Sequence, residues 1–247
     1  MLIVHYHIFK NAGTSVDMML QRNFGDRWAE AEFPDAPPGS FSNAPLVEAF
    51  LSQRPELLAF SSHTAHLPAP KLDRQVFPVV FLRHPLDRLK SAYVFERLQG
   101  ADTHGARLAK TCDFEGYVRA LLTTPPVRQA RNFQTERLAS AEPPQQGTER
   151  ERALRVLESL PFVGLVEAYD RSLARLGDWL APHFPDFQTV SLHENQTAGQ
   201  EGDLEQRLAA IKESLPPALF DDLVESNSDD FAIYDKIRAR HLPAVSA

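Results

Sequence analysis

Val76-Phe77-Pro78-Val79-Val80-Phe81-Leu82 is an unbroken apolar run, and Arg83-His84-Pro85-Leu86-Asp87-Arg88-Leu89-Lys90-Ser91 follows it directly. An apolar run without polar alternation suits a strand covered on both faces, as in a parallel sheet. Pro78 has no N–H to give, so the reading places it at the start of that strand. Pro85 sits where the first turn of a helix accepts proline. Leu86, Leu89, Tyr93 and Leu98 then mark a helical apolar stripe. The segment therefore reads as strand, charged turn, helix.

Working outward, the N-terminus repeats this pattern. Leu2-Ile3-Val4-His5-Tyr6-His7-Ile8 reads as a strand, Lys10-Asn11-Ala12-Gly13 as a tight loop, and Val16 onward as a helix with Thr14 or Ser15 as its N-cap. Further strands are expected at 57–62, 162–166 and 187–192. Helices are expected at 114–122, 128–139 and 150–159, and through Leu173, Leu176 and Leu180, with two or three acidic helices closing the chain. Residues 33–45, with four prolines and Gly39, read as a loop. The segments 24–56 and 100–113 read as variable loops. Strands alternating with helices predict an α/β fold, a P-loop-like three-layer arrangement with a central, mostly parallel sheet flanked by helices. It is expected to form a single domain over 1–247, with an acidic helical C-terminal segment at 194–240.

Composition narrows the function classes. The chain has 247 residues, 43% hydrophobic and 24% charged, which argues against a disordered or fibrous protein. No apolar stretch is long enough to cross a bilayer, and the first residues lack a signal-peptide pattern. Cys112, the single cysteine, excludes an internal disulfide and a cysteine-based zinc cluster. A reduced, cytoplasmic protein is the expectation. The net charge of −7 is unevenly spread: 194–235 holds 11 acids and 2 bases, leaving a net of +2 for the remainder. A nucleic-acid partner is not expected, whereas a small anion is compatible with the first two hundred residues.

In a parallel sheet ligands gather at the carboxyl ends of the strands, and two of those ends carry charge. At Lys10-Asn11-Ala12-Gly13-Thr14-Ser15, small residues allow close backbone approach, helix-start N–H groups point at an anion, and Lys10 adds a full charge. That is either a phosphate cradle or an ordinary strand–helix turn with a capping threonine. It is not a Walker A loop. Arg83 ends the apolar strand, where a guanidinium is costly unless an anion or a buried carboxylate meets it. A magnesium-dependent phosphotransferase of this fold would carry an aspartate there, so Arg83 points to direct phosphate binding.

Together these segments resemble the nucleotide-binding motifs of the sulfotransferases, in the branch that includes the heparan sulfate 2-O-sulfotransferases and bacterial relatives. His7 through Ser15 is similar to that branch's His-Ile-Pro-Lys-Thr-Gly-Gly-Thr-Ser loop, and Arg83 through Ser91 to its Arg-Asp-Pro-x-x-Arg-x-x-Ser segment. Asn132 to Ala139, Phe162 to Glu167 with Ser172-Leu173, and Asn227 to Tyr234 resemble further family blocks. Phe9, Asn11 and Ala12 depart from the loop pattern, and His84 stands in place of the aspartate after the arginine, which puts the orientation of Arg83 in question.

The resemblance implies 3′-phosphoadenosine 5′-phosphosulfate as donor and sulfuryl transfer to an acceptor hydroxyl, of a carbohydrate or a small metabolite. The product would be 3′-phosphoadenosine 5′-phosphate, and no metal would be required. By position, Lys10, Asn11, Ala12, Gly13, Thr14 and Ser15 would hold the 5′-phosphosulfate, and Arg83 and Ser91 the 3′-phosphate. The loop His193 to Gly199 would close over the nucleotide. Lys10 would also carry charge on the leaving phosphate. The base is expected just after the second strand, at His63, with His66 as substitute. A zinc site at His63-x-x-His66 lacks a third ligand at suitable spacing. His5 and His7 read as packing residues on one face of the first strand. The rival readings are a nucleotide-dependent small-molecule kinase and a catalytically silent nucleotide-binding module. Oligomeric state is not legible.

Overall fold

The computed structural model describes residues 1–124, 126–190 and 202–241. Its elements in chain order are β1 (Leu2–Tyr6), α1 (Gly13–Phe24), β2 (Trp28–Glu30), α2 (Ala44–Ser52), β3 (Ala59–Ser62), β4 (Val76–Leu82), α3 (Pro85–Leu98), α4 (His104–Thr111), α5 (Phe114–Thr123), α6 (Phe133–Ala139), α7 (Glu149–Ser159), β5 (Gly164–Leu165), α8 (Tyr169–Leu180), α9 (Leu204–Glu213), α10 (Pro217–Ser226) and α11 (Ser228–His241). The five strands form one parallel sheet in the order β2-β3-β1-β4-β5. Helices cover both faces, which makes the expected three-layer α/β fold.

Pleating divides the strand residues between the layers. Val4, Tyr6, Phe60, Val80 and Leu82 pack with α2, α6, α7 and α11. Ile3, Ala59, Phe77, Val79 and Phe81 face α1 and α8 on the other side. Both faces being covered explains why β1 and β4 read as continuous apolar runs. Burying each such aliphatic side chain contributes about 1.5–3 kcal/mol. A third apolar cluster joins α3, α4, α5, α9 and α10.

Pro78 lies inside β4 rather than at its start, paired with Val4. The Leu2 N–H donates to the Gln75 carbonyl, so odd-numbered residues of β4 address β1 and Pro78 turns its nitrogen the other way. On that side β5 pairs only with Phe81 and Leu82, so no ladder bond is lost.

The strand expected at 187–192 does not form where it is described. Phe187 to Val190 run without regular structure. The Asn23 side chain donates to the Gln188 carbonyl at 2.9 Å and accepts from its N–H at 2.8 Å. One amide side chain thus takes the part of a neighbouring strand, while Phe187 packs on Phe24. Ser191, Leu192 and the loop His193 to Gly199 lie outside the described residues. The fifth strand is instead β2, in a segment read as loop, and α4 likewise occupies the segment read as a loop at 100–113. The helix expected at 128–139 begins only at Phe133, because Asn132 takes a left-handed φ of 43°.

Candidate active site

The chain leaves β1 toward β2 on one side and returns past β3 to β4 on the other, so the sheet reverses its direction of growth beside β1. A crevice at the carboxyl ends of strands is the expected place for a ligand at such a point. There the structure gathers the Lys10 loop after β1, Arg83 after β4, and His63 after β3.

The Lys10 loop is curled by two left-handed residues, Lys10 at φ 65° and Ala12 at φ 61°. The helix starts at Gly13 with Ala12 as its N-cap, rather than at the expected Thr14 or Ser15, and Ala12 supplies no side-chain acceptor to the first turn. Such a start leaves helix-end N–H groups for another acceptor. Thr14 is exposed at the mouth, whereas Ser15 is buried. Asn11 faces inward: its N–H bonds the Ile8 carbonyl, and its amide donates to the Phe81 carbonyl and to Gln134. Gln134 in turn bonds the backbone of Arg83 through both amide atoms. Asn11 therefore fixes the Lys10 loop against the end of β4 instead of offering its side chain to a ligand.

Gly13 is required by a neighbour. A Cβ at this position would lie 1.8 Å from the His7 ring. His7 thus lies directly over the loop, a placement that a reading of the strand as simple packing missed.

Lys10 and Arg83 meet at this end of the sheet. The Arg83 Nη1 donates to the Lys10 carbonyl at 3.1 Å. Lys10 rests its ammonium on the Phe95 ring, 4.4 Å from the centre. Burial, with the Arg83 charge adding to it, lowers the Lys10 pKa to about 8. Arg83 itself is 8% exposed and is held by Asp87, one helical turn on, at 2.9 Å from Nε and 2.8 Å from Nη2. The carboxylate missing at His84 is thereby supplied three residues later, by Asp87. Asp87 also accepts from Arg207 of α9 at 2.9 and 3.1 Å. Burial works to raise the Asp87 pKa, but the two guanidinium groups outweigh it and hold the carboxyl below its ordinary range. Arg207, hidden in the most acidic part of the sequence, belongs to this site. Ser91 is fully buried on α3, two turns from Arg83.

His84 is buried against Phe231 and Tyr234. Burial lowers its pKa to about 4, so it serves as a neutral packing group. The His84 backbone N–H donates to Glu167 at 2.7 Å, and burial raises the Glu167 pKa to about 7.

His63 is half exposed, with Glu32 2.7 Å and Glu30 3.3 Å from its Nδ1. Its ring packs against His7, with centroids 3.8 Å apart. His7 and His5 each hydrogen-bond one oxygen of Asp17 at 2.7 Å. Burial pushes Asp17 upward, but both imidazoles outweigh it and keep its carboxyl well below the usual range. His66 is placed differently. Its Nε2 is engaged by Arg137, and burial together with that cation lowers its pKa to about 4. Of the two candidate bases, only His63 stands with its Nδ1 on a carboxylate.

Two groups here also have the make-up of metal ligands. His5, His7 and Asp17, and separately Glu30, Glu32 and His63, each bring donor atoms within 4.8 Å of one another. In the first, both Asp17 oxygens already accept from imidazoles. In the second, Glu32 is anchored by Ser62 and Thr64.

Fold and site together define a three-layer α/β protein with a cationic loop and a histidine–carboxylate cluster at the switch point of a parallel sheet. No protein-family profile matches the chain. It is 35% identical over 245 residues to an uncharacterized protein of Archaeoglobus fulgidus, an alignment spanning 96% of this chain and 95% of the archaeal one. The chain belongs to the family of that protein. Among the described residues no helix is long and apolar enough to cross a membrane.

Proposed function

We propose that this protein is a sulfotransferase that takes the sulfuryl group of 3′-phosphoadenosine 5′-phosphosulfate and passes it to a hydroxyl of a carbohydrate or small metabolite. The observation that carries the reading is the meeting of Lys10 and Arg83 at the helix-start loop. The Arg83 guanidinium donates to the Lys10 carbonyl, and the Lys10 ammonium rests on the Phe95 ring with its pKa lowered by burial and by the Arg83 charge. Asp87, a buried carboxylate, meets the Arg83 charge, so the Lys10 ammonium is the charge that favours an anion at the loop.

In this reading the loop from Lys10 to Ser15 receives the 5′-phosphosulfate, and Arg83 with Ser91 receives the 3′-phosphate. Lys10 stays within reach of the phosphate that departs and offsets its growing negative charge. His63 accepts the proton of the acceptor hydroxyl as the new oxygen–sulfur bond forms and the old one breaks, leaving the nucleotide as 3′-phosphoadenosine 5′-phosphate. No step is assigned to a metal. Glu30 and Glu32 beside His63 favour a neutral acceptor over a polyanionic glycan. The cytoplasmic setting expected from the single cysteine belongs to this proposal.

The test is donor turnover with labelled sulfuryl group across neutral sugars and small alcohols. His63→Ala is expected to lower turnover by roughly 10²–10⁴ while leaving nucleotide affinity intact. Unchanged turnover, or loss of donor binding with the histidine, rejects the base assignment.

A further inference from the structure

We propose that Glu32 is the positioning residue of the acceptor base: it holds His63 in the tautomer protonated at Nδ1 and so presents Nε2 to the acceptor hydroxyl. The inference rests on the sulfotransferase reading for the identity of the acceptor, and on geometry for the rest.

Glu32 is itself fixed from several directions. One oxygen accepts from the His63 N–H at 3.1 Å as well as from Nδ1 at 2.7 Å. The other accepts from the Thr64 N–H at 2.8 Å, the Thr64 hydroxyl at 2.7 Å and the Ser62 hydroxyl at 3.2 Å. Burial works to raise the Glu32 pKa, but the Thr64 and His63 hydrogen bonds outweigh it and leave it lowered. An ionised carboxylate only accepts, so the imidazole nitrogen facing it must carry a hydrogen. In a neutral ring the other nitrogen, Nε2, is then bare and basic.

The ring is held on its flank as well. His7 packs against His63, and Asp17 fixes His7 through its own Nδ1. Among the described residues, the charged and titratable groups near His63 are Glu30 and Glu32 from the β2 side, His7 from the β1 side with Asp17 behind it, and Arg137 of α6, which lines a small cavity with His7 and His63. When the acceptor proton reaches Nε2, the resulting imidazolium keeps its Nδ1–H on Glu32, which stabilises it. Without the Glu32 carboxylate the Nδ1 proton keeps the more distant Glu30, at 3.3 Å, and the tautomer carrying hydrogen on Nε2, which cannot take a proton there, gains population.

Nitrogen-15 NMR of the imidazole side chains, at a pH where His63 is neutral, reads the tautomer without any substrate. The expected result for the wild-type protein is a protonated Nδ1 and a bare Nε2 at His63, shifting toward protonated Nε2 in Glu32→Gln. Turnover in Glu32→Gln is expected to fall roughly 10²–10⁴-fold with unchanged affinity for 3′-phosphoadenosine 5′-phosphate. Glu32→Asp, which keeps the charge, is expected to recover part of the loss. A wild-type His63 protonated at Nε2, or a Glu32→Gln protein with normal turnover, overturns the assignment. So does activity that requires added zinc or manganese and loses its metal affinity in Glu32→Gln, because Glu32 would then be a ligand. The expected tautomer without any turnover of the donor refutes the sulfotransferase reading instead.

Discussion

Lys10→Met separates the stability of the empty site from its affinity. In the ligand-free protein the Lys10 pKa is lowered from 10.5 to about 8 by burial and by Arg83. That displacement corresponds to about 3 kcal/mol of cost for keeping the ammonium charged in the folded state. Lys10 retains contact with solvent, so screening reduces the expected figure to roughly 1–2 kcal/mol. At pH 7 both folded and unfolded forms are protonated and the whole cost is present. As pH rises through 8 the folded form sheds its proton while the unfolded chain keeps it up to about 10.5. Folding stability of the wild type therefore gains on that of Lys10→Met across this window. Urea denaturation at pH 7 and at pH 10 measures it. The variant, whose thioether can still pack on Phe95, is expected to be the more stable at pH 7, with the difference shrinking toward zero at pH 10. Its affinity for 3′-phosphoadenosine 5′-phosphate is expected to fall at least tenfold, in keeping with the loss of a charged hydrogen bond. A variant less stable than wild type at pH 7, or a difference that ignores pH, refutes the account of Lys10 as a cation held ready for an anion.

Gly13→Ala drives a methyl group into the His7 ring, and is expected to cost about 1–3 kcal/mol in chemical denaturation and to weaken nucleotide binding. Asp17 holds both His5 and His7, and its lowered pKa means its stabilisation is present above about pH 4 and lost as pH falls below that. Asp17→Asn is therefore expected to flatten the acid limb of an unfolding curve followed by circular dichroism. Arg88, fully buried on α3 over the Phe133 ring, donates to the Gln129 carbonyl, and its removal leaves a cavity and takes that donor away. Arg88→Ala is expected to cost about 2–5 kcal/mol in the same denaturation experiment.

The parts of the fold that were legible in the sequence are those with strong local signals. The apolar run of β4, followed by Arg83 and Pro85, is a strand entering a helix, and it forms over Val76–Leu82, with Pro78 inside the strand rather than at its start. β2 gave no such signal, since Trp28-Ala29-Glu30 is too short for a period to show. Phe187 to Leu192 gave a false one, because the β-propensity of Phe187, Thr189 and Val190 does not reveal that Asn23 satisfies the Gln188 backbone. The candidate site divides the same way. Lys10, Arg83 and His63 stand at strand ends and were visible as charges after apolar runs. Glu32, Asp17 and Arg207 were not visible, because each acts through a partner distant in sequence: Glu32 meets His63 across β2 and β3, Asp17 meets His7 across α1 and β1, and Arg207 meets Asp87 across α9 and α3. Cys112 and the net charge bore on none of these contacts.

The central claim is that the Lys10 loop and Arg83, side by side at the carboxyl ends of β1 and β4, form a donor site for a 3′-phosphorylated adenine nucleotide. Calorimetric titration of the protein with 3′-phosphoadenosine 5′-phosphate, and separately with ATP and magnesium, tests it most directly. Tight binding of the first without any metal, abolished in Arg83→Ala, is the predicted result. Preference for ATP with magnesium, or no binding of either nucleotide, would contradict it.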